Sequence, residues 1–377
     1  MDTAPFRSYV SISRSRIAAN FRQVVSAVGP GVTVCAVVKA DAYGHGAIEV
    51  SRILEEEGAR WLAVSSVEEG VALRRAGRTA RILVMAGVLP YEREALAEFN
   101  LTPAAHSLED VAELDRFAGR LDKPLEYHLK LDSGMGRLGT RACPEQVAAA
   151  IGSAGSARCE GLMTHFASAA DYGSLQTDHQ ADAFLRMRAS LEQAGIAPRY
   201  FHTSSTIAVA YGRRAAWHNM VRPGIAIYGY VSPARGEAPP RILHVKPALE
   251  WKAKVLLVKD VPEGALVGYG GSFRAPRPMR IGILAVGYAD GLPHRLSNKG
   301  RVLAGGKPAA ILGTVSMDLT TIDLSHAGEL KPGDEVTILG QEGESKLDAQ
   351  LMARLAGTIS YNILCGISAR VRRVYVD

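Results

Sequence analysis

Cysteine is scarce in this sequence. Four cysteines occur among 377 residues, and no two of them form a Cys-x-x-Cys pair. Their positions are Cys35, Cys143, Cys159 and Cys365. Cysteines scattered in this way favour neither a disulfide framework nor a zinc site. We therefore expect no metal cofactor and predict a reducing location, the cytoplasm.

Long apolar runs are also lacking. No stretch approaches the ~20 apolar residues that a membrane helix requires. The opening Met-Asp-Thr-Ala-Pro-Phe-Arg contains no apolar core of a secretory signal. With 47% hydrophobic and 22% charged residues, the composition is that of an ordinary soluble protein. We expect no membrane association.

Blocks of like charge are absent as well. The formal net charge is +6, but 44 basic residues are interleaved with 38 acidic ones. The longest basic clusters are pairs such as Arg213-Arg214. A nucleic-acid-binding domain usually carries a basic stripe or patch, so no nucleic-acid partner is predicted. An anionic small-molecule ligand is the favoured interpretation.

Strand-like and helix-like segments alternate over residues 11–241. Eight apolar stretches have the pattern of strands, and helical patterns separate most of them. The predicted strands are residues 32–38, 60–66, 81–87, 101–106, 125–132, 159–166, 200–205 and 220–229. These repeats predict an α/β fold with an N-terminal (βα)8 barrel of the TIM type, and a doubly wound sheet is the alternative.

The pattern changes after residue 241. Residues 249–258 alternate with period two, as a half-buried antiparallel strand does. Short strands are predicted at residues 281–286, 301–304, 308–312, 320–324 and 335–339, a helix at 347–355, and extended chain over 361–376. We therefore predict a C-terminal mostly-β domain over residues 242–377, to which residues 1–10 are assigned.

A lysine ends the first predicted barrel strand. Lys39 follows the apolar run directly, and Tyr43, His45 and several small residues come next. Barrel enzymes keep reactive groups at strand ends, and burial lowers the pKa of an amine, which favours attack on a carbonyl. Lys39 is therefore a candidate Schiff-base residue. The alternative is a lysine that only leaves the strand for solvent.

Polar residues follow other strands at the same predicted rim. Among them are Lys130, Arg137, His165 and Arg222. A lone histidine is more often a core residue than a catalytic one, but convergence on one rim favours a site. Barrels commonly bind phosphate after strands seven and eight. The hydroxyls at 204–206 and the backbone at 224–225 are candidates, unless those hydroxyls simply form a turn.

Residues 39–46, Lys-Ala-Asp-Ala-Tyr-Gly-His-Gly, resemble the pyridoxal-phosphate signature of alanine racemases. The resemblance covers nearly the whole chain and includes residues 130–139, 163–167, 221–228, 268–270, 287–291 and 315–318. It implies a barrel, a C-terminal β domain and a head-to-tail homodimer with shared active sites. The implied activity is interconversion of L-alanine and D-alanine, which supplies D-alanine for peptidoglycan.

The resemblance also implies catalytic roles. Lys39 holds pyridoxal phosphate as a Schiff base and is one of two bases; Tyr269 of the partner chain is the other. Arg222 faces the pyridine nitrogen, and His165 lies between Arg222 and Tyr269. A tyrosine ordinarily titrates near 10, so acting as a base at neutral pH requires roughly 4 kcal/mol of stabilisation. Arg222 acting through His165 is the expected source.

Further residues are assigned to the cofactor and the substrate by the same resemblance. The cofactor set adds Tyr43, Arg137, Ser205, Thr206, Gly224, Ile225 and Tyr361. The substrate set is Arg137, Tyr288, Met317 and Asp318. Lys130 stands where many members carry a carbamylated lysine that orients Arg137.

The sequence departs from the family at one point and leaves two alternatives open. Members usually have Asn-Ser where Ser205-Thr206 stands here, so either hydroxyl is a candidate for the phosphate. A decarboxylase of the same fold would carry an acidic residue in place of Arg222 and a catalytic cysteine motif in the β domain. A non-catalytic pyridoxal-phosphate carrier would resemble the barrel alone.

Overall fold

The computed structural model describes residues 6–121 and 123–377. They divide into two compact units. One contains Arg16–Ala42 and Ala47–Lys246; the other contains the chain up to Ser15, Tyr43–Gly46 and Pro247–Asp377. We call them the barrel unit and the β unit. No helix in the described part of the chain is long and apolar enough to cross a membrane.

The strands are β1 (Ser8–Ser13), β2 (Thr33–Val37), β3 (Trp61–Val64), β4 (Arg81–Val84), β5 (Leu101–Ala105), β6 (Leu125–Lys130), β7 (Ala157–Met163), β8 (Tyr200–His202), β9 (Met220–Val221), β10 (Leu249–Val261), β11 (Leu266–Val267), β12 (Phe273–Arg274), β13 (Met279–Leu284), β14 (Arg301–Ala304), β15 (Lys307–Leu312), β16 (Thr320–Asp323), β17 (Glu335–Glu342), β18 (Ser345–Leu347) and β19 (Arg372–Val376).

The helices are α1 (Arg14–Val28), α2 (Lys39–Gly44), α3 (Ala47–Glu56), α4 (Val67–Arg75), α5 (Arg93–Glu98), α6 (Leu108–Ala118), α7 (Pro144–Ser153), α8 (Gln176–Gln193), α9 (Thr206–Ala210), α10 (Ala349–Ala356) and α11 (Ser360–Gly366). Short 3-10 turns include Tyr269–Gly271 and Tyr288–Asp290.

Strands β2 to β9 form the barrel. All neighbours pair in parallel, in the order β8-β7-β6-β5-β4-β3-β2-β9. The ring is nearly closed between β8 and β9, where Ser205 bridges Arg222 and the Arg222 amide donates to the Ser204 carbonyl at 2.9 Å. The predicted (βα)8 barrel is therefore confirmed, and the doubly wound sheet is not found.

The barrel helices follow from their sequences. Ser107 accepts the Asp110 amide at 2.9 Å, so it caps the first turn of α6. Val111, Leu114 and Phe117 recur at helical spacing and are buried. Burial of these apolar side chains stabilises the unit by roughly 1.5–3 kcal/mol each. The eighth strand is shorter than predicted: β9 has two residues, and the amide of Ile227 turns back to the carbonyl of Gly224 at 2.9 Å.

The β unit contains a nine-stranded sheet, in the order β18-β17-β14-β15-β16-β13-β10-β1-β19. Along β10, Leu249, Trp251, Ala253 and Val255 are buried in alternation, which confirms the period-two pattern. The mostly-β C-terminal domain is confirmed. The predicted extended run over 361–376 is wrong in its first part, because residues 360–366 form α11 before β19 begins.

Candidate active site

Lys39 opens a turn with unusual backbone geometry. It begins α2, in which Ala40, Asp41, Ala42 and Tyr43 have φ values of 52°, 50°, 53° and 55°. This is a left-handed helical turn, which costs L-residues roughly 1–2 kcal/mol each. Strain of this kind concentrates at functional sites, where surrounding contacts maintain it.

Two hydrogen bonds hold this turn in place. The Ala40 amide donates to the Glu69 carboxylate at 2.6 Å, and the Ala47 amide donates to Asp41 Oδ1 at 2.7 Å. The turn starts directly after β2, so Lys39 stays at the carboxyl end of that strand. Its side chain is partly exposed.

Arg222 is the best-buried cation of the rim, with 3% of its surface exposed. Its Nη1 donates to His202 Nδ1 at 2.6 Å and to the His202 carbonyl at 2.8 Å. Its Nη2 donates to the Thr164 carbonyl at 2.6 Å and lies 3.5 Å from His165 Nδ1. Burial lowers the pKa of Arg222 to about 10, so the guanidinium remains charged at neutral pH.

The contacts of Arg222 determine the state of His165. Arginine has five N–H donors and no acceptor, so the His165 Nδ1 that faces it is the acceptor nitrogen. The proton of a neutral ring then lies on Nε2. Burial, reinforced by the charge of Arg222, lowers the pKa of His165 to about 3. His165 is therefore a neutral donor through Nε2.

Lys130 and Arg137 lie at the base and tip of one loop. Asp132 Oδ1 accepts the amides of Met135 and Gly136 at 2.9 Å each, and the Thr140 amide returns to the Lys130 carbonyl at 2.9 Å. Burial, then the charges of Arg137 and Arg222, lower the pKa of Lys130 to about 8. This loop keeps Lys130 buried and Arg137 exposed.

The predicted phosphate residues after β8 and β9 come together. Thr206 is buried, and its Oγ1 accepts the amides of Gly224 at 3.0 Å and Ala226 at 3.4 Å. Ser204 instead donates to the Ala216 carbonyl at 2.7 Å. Ser205 is only partly buried and precedes α9. Of the three hydroxyls, that of Thr206 therefore lies beside the amides predicted to bind phosphate.

Tyr43 and Tyr361 face each other in the β unit, with ring centroids 5.9 Å apart. Burial, with smaller contributions from Tyr361 and Cys365, raises the pKa of Tyr43, so its hydroxyl keeps a proton to donate. Gly44 must be glycine here, because its φ is 80° and a Cβ would lie 2.4 Å from the Leu364 carbonyl oxygen.

Tyr269 projects from a glycine-rich turn of the β unit and is 76% exposed. Gly268 and Gly270 on either side have φ values of 78° and 68°, which L side chains rarely adopt. The Tyr269 carbonyl accepts the Thr314 hydroxyl at 3.3 Å, which ties this turn to the loop carrying Met317.

Tyr288 and Met317 lie on two loops that hydrogen-bond to each other. The amides of Tyr288 and Ala289 donate to the carbonyls of Ser316 and Met317 at 3.0 Å each. Tyr288 is 45% and Met317 54% exposed. We call the exposed surface of Tyr269, Tyr288 and Met317 the tyrosine face. Asp318 follows Met317 and pairs with Arg370 at 2.8 Å.

Sequence models of known families decide the identity. That of the alanine racemase N-terminal domain matches residues 12–233, and that of the alanine racemase C-terminal domain matches residues 248–375. The chain belongs to the alanine racemase family.

Individual alanine racemases are similar over their full length. The enzyme of Halothermothrix orenii is 39% identical, with 98% of this chain and 96% of that protein aligned. The structure of alanine racemase from Bacillus anthracis with bound L-Ala-P is 34% identical, has a TM-score of 0.90 and covers 99% of this chain and 96% of that one. The structure from Bartonella henselae with covalently bound pyridoxal phosphate is 26% identical, has a TM-score of 0.88 and covers 99% and 100%.

The resemblance to alanine racemases, the racemase class of enzyme and the pyridoxal-phosphate dependence predicted from the sequence are thus confirmed at the level of the family. The decarboxylase and the carrier receive no support from these matches. The roles of individual site residues stay predictions.

The residues of the barrel unit fit pyridoxal phosphate. Arg222 uses Nη1 and Nη2 for all the hydrogen bonds that it makes with the described residues, which leaves Nε–H for an acceptor such as a ring nitrogen. The Thr206 oxygen accepts the amide of Gly224 at 3.0 Å, so its own O–H remains to donate to a phosphate. An alanine racemase needs both features.

His202 and Thr164 contact Arg222, but sequence reasoning gave them no role. His202 ends β8, just before the hydroxyl residues 204–206, and His128 lies in β6. The available signal was a polar residue at inward-facing strand positions, where a barrel normally carries branched aliphatics. His128 and Lys130 are two residues apart on β6 and so share one face.

Proposed function

We propose that this chain interconverts L-alanine and D-alanine on pyridoxal phosphate, with Lys39 and the Tyr269 of a second copy as the two bases. The observation that carries the proposal is the arrangement of Arg222. This buried, charged guanidinium makes four contacts through its terminal nitrogens, which leaves its Nε–H as a donor and makes His165 Nδ1 an acceptor.

The residues that hold the cofactor are proposed from their chemistry. Lys39 would bind it covalently, the Thr206 hydroxyl and the backbone at Gly224 and Ile225 would bind its phosphate, and Ser205 is the less favoured hydroxyl. Tyr43 and Tyr361 donate hydroxyls to the same phosphate, and Arg137 contacts the phenolic oxygen. When bound, pyridoxal phosphate withdraws electrons from the α-carbon and makes its proton acidic.

Arg222 limits that withdrawal. It stays charged and has no acceptor, so it would donate to the ring nitrogen and leave that nitrogen unprotonated. The cofactor would then be a weaker electron sink, and side reactions such as transamination would be suppressed. An acidic residue at this position would have the opposite effect.

Lys39 and Tyr269 move the protons. Racemisation removes a proton from one face of the α-carbon and returns one to the other, so one base on each face is the direct solution. Neutral His165 accepts toward Arg222 through Nδ1, so its Nε2 proton would donate toward the Tyr269 oxygen of the second copy and favour the ionised phenol. The charge of Arg222 supports this through the opposite ring nitrogen.

A head-to-tail homodimer is part of the proposal. In a single chain Tyr269 is 76% exposed, and the rest of the tyrosine face also shows apolar side chains to solvent. If a second copy covers this face, the Tyr269 of one chain would enter the active site of the other, as the family resemblance implies. Asp318, Met317 and Tyr288 would then line the substrate side.

A methyl-sized pocket is proposed from Tyr288 and Met317. Their backbones are joined by hydrogen bonds through Ser316, so the loops form one rigid wall. Arg137 would orient the substrate together with the cofactor. Rates with a panel of L-amino acids measure this: alanine should be fastest, and a faster bulky substrate would contradict the proposed pocket.

Lys130 is proposed to be carbamylated. Its pKa of about 8 leaves a larger neutral fraction at neutral pH than a free lysine has, and only the neutral amine adds carbon dioxide. The product would carry a negative charge that pairs with Arg137. Intact-mass spectrometry under native conditions should show the added mass of carbon dioxide, which Lys130→Ala should lose.

The biological setting remains a prediction. We expect a cytoplasmic enzyme that supplies D-alanine for peptidoglycan. All four cysteines are free, which agrees with a reducing compartment. We also propose domains at residues 11–241 and 242–377 with 1–10. The pairing of β1 with β10 and β19 supports assigning the N-terminal segment to the C-terminal sheet, and this pairing continues to Ser13.

One assay tests the activity. Purified protein with added pyridoxal phosphate is incubated with L-alanine, and circular dichroism follows the optical activity to zero. Release of carbon dioxide instead would indicate a decarboxylase. Bound cofactor with no change in the amino acid would indicate a carrier, and either result would overturn the proposal.

A further inference from the structure

Two glutamines stand one turn apart on α8. Gln176 begins the helix and Gln180 follows four residues later, so their side chains lie on one face. Gln180 is buried, with 1% of its surface exposed. Glutamine is mostly an exposed residue, and a buried polar side chain is expected to be hydrogen-bonded. The partners of the Gln180 amide therefore indicate what this side chain does.

The amide of Gln180 holds the backbone on both sides of Phe166. Its Oε1 accepts the Ala167 amide at 2.8 Å, and its Nε2 donates to the His165 carbonyl at 3.0 Å. A neighbouring parallel strand would bind the same two groups of an extended backbone. Because β7 ends at Met163, a side chain of α8 takes the place of a neighbouring strand at His165.

The third hydrogen bond of Gln180 reaches the loop after β6. Its Nε2 also donates to Ser133 Oγ at 3.4 Å, and Ser133 Oγ lies 2.8 Å from Thr164 Oγ1. The Thr164 hydroxyl donates its single proton to the Leu131 carbonyl at 2.9 Å, so Ser133 is the donor to Thr164. The hydrogen bonds therefore run in one direction, from Gln180 through Ser133 to Thr164.

These partners fix the orientation of the Gln180 amide. A side-chain amide has an acceptor oxygen and an NH2 group with two N–H donors. Here the oxygen faces a backbone N–H, and the NH2 faces a carbonyl and a hydroxyl. Turning the amide over would set two donors against each other at Ala167 and two acceptors against each other at His165. One orientation satisfies all three partners.

The His165 ring depends on this backbone for its direction. Its Nδ1 lies 3.5 Å from Arg222 Nη2, which is a weak contact for a hydrogen bond. Thr164, the residue before it, is held at its carbonyl by Arg222 and at its hydroxyl by Ser133. Gln180 holds the next carbonyl along the chain. The backbone contacts therefore carry more of the positioning than the ring contact does.

We propose that Gln180 is a positioning residue for the racemisation: by holding the His165 backbone, it keeps the imidazole directed toward the Tyr269 of a second copy. This rests on the proposed function, in which His165 donates to the Tyr269 oxygen and Lys39 acts without His165. Loss of the Gln180 amide should therefore weaken one of the two bases. A residue needed only for folding would affect both bases alike.

Gln180→Met tests the proposal without changing charge or length. Methionine provides neither an amide donor nor an amide acceptor, so the Ala167 amide and the His165 carbonyl lose their partner. The readout is deuterium uptake at the α-carbon in D2O, starting from L-alanine and from D-alanine separately. Tyr269→Phe identifies the enantiomer from which Tyr269 removes the proton.

The expected effect of Gln180→Met is selective. Deuterium uptake from the enantiomer that depends on Tyr269 should fall about tenfold, the scale of one lost hydrogen bond. Uptake from the other enantiomer should change little, because Lys39 removes that proton and returns deuterium taken up from the solvent.

Gln176→Met is the matched control. Gln176 Oε1 accepts the Ser168 hydroxyl at 2.6 Å, and its Nε2 donates to the Gly134 carbonyl at 3.2 Å, so it joins the same two loops. Neither bond involves residues 165–167. Gln176→Met should therefore leave deuterium uptake from both enantiomers as in the wild type.

A double-mutant cycle tests whether Gln180 acts through His165. His165→Leu removes the donor to Tyr269, so adding Gln180→Met to it should cause no further loss of deuterium uptake. A second readout needs no turnover. In histidine-labelled protein, the imidazole 15N signal assigned through His165→Leu should shift in Gln180→Met and stay in place in Gln176→Met.

Equal losses for the two enantiomers, or no loss, would overturn the proposal. Additive losses in the double variant would show that Gln180 does not act through His165. If Gln180→Met does not fold, Gln180→Asn keeps the amide but is too short to reach both partners, and the same selective loss is expected of it. A wild type that takes up no deuterium fails the proposed function alone, since the His165 signal still tests whether Gln180 positions the ring.

Discussion

Arg222 Nη1 and His202 Nδ1 are 2.6 Å apart, inside the fully buried part of the barrel. Because the guanidinium has only donors, this contact fixes both the orientation of the arginine and the tautomer of the histidine. The same guanidinium reaches the carbonyl of Thr164 and the ring of His165 through Nη2. One side chain thus connects Thr164 and His165 at the rim of the barrel to His202 in the barrel interior.

Replacing Arg222 with lysine should be costly despite the conserved charge. One ammonium group has three donors for four acceptors, so at least one buried acceptor loses its partner. We expect unfolding free energy to fall by about 1–3 kcal/mol and racemisation to fall by about tenfold or more. Urea unfolding and circular dichroism measure both. Arg214→Lys, at an exposed position, is the control, and equal behaviour of the two variants would contradict the account.

Mixing two inactive variants should restore activity if sites are shared. Lys39→Ala removes the covalent anchor from one chain, and Tyr269→Phe removes the second base from the other. A mixed dimer then has one site that receives Lys39 and Tyr269 from the two wild-type halves. Differently tagged chains, co-expressed and purified through both tags, should regain a large part of the activity. Inactivity of the mixed dimer would place both bases in one chain.

The eight barrel strands could be predicted from the sequence because buried parallel strands are continuous apolar runs. The end of β9 could not be predicted. Residues 224–229 are as apolar as a strand, but β9 ends at Val221 and the chain turns back at Gly224. Helix α11 was missed for a similar reason. Its sequence, Ser-Tyr-Asn-Ile-Leu-Cys-Gly, is too short to show helical periodicity.

The left-handed turn after Lys39 was beyond sequence reasoning. Ala40 and Ala42 are strong right-handed helix formers in isolation, and only their surroundings maintain a positive φ. Tyr269 likewise carried no local signal apart from its glycines, and only the family resemblance singled it out. His128 and His202 were visible as strand residues. Their hydrogen bond depends on the register shift between Tyr127 and His128 in β6 and on the space that Gly161 leaves for the His128 ring.

Glycine at position 40 tests the strain in the left-handed turn. Ala40 is exposed with a φ of 52°, where glycine has no steric penalty. We expect Ala40→Gly to leave the free energy of unfolding unchanged or to raise it by up to about 1 kcal/mol. Ala149→Gly, in the right-handed helix α7, should lower it by about 1 kcal/mol. Equal destabilisation in urea unfolding would show that the turn is not strained.

The buried histidines predict how stability depends on pH. Burial lowers the pKa of His218 to about 4, and burial with the charge of Arg222 lowers that of His165 to about 3. An unfolded histidine titrates near 6.5. Between that pH and the pKa values of the folded rings, the unfolded chain binds more protons than the folded chain. Stability is therefore complete above pH 6.5 and is lost as the pH falls toward 4.

Urea midpoints at pH 7.5, 6 and 5 measure this loss above the range in which carboxylates titrate. His218→Asn, which tolerates the φ of 51° at that position, should reduce the slope. A midpoint that is flat or rises on acidification would contradict the neutral state of these rings.

The origin of the returned proton tests the central claim, two bases on opposite faces, most directly. L-alanine is incubated with the protein and pyridoxal phosphate in D2O, and both enantiomers are isolated during the first turnovers for mass spectrometry. With Lys39 and Tyr269 as separate bases, the D-alanine should carry deuterium at the α-carbon while the remaining L-alanine retains hydrogen. D-alanine that keeps the original hydrogen would show that one base carries it from face to face, and the two-base account would be wrong.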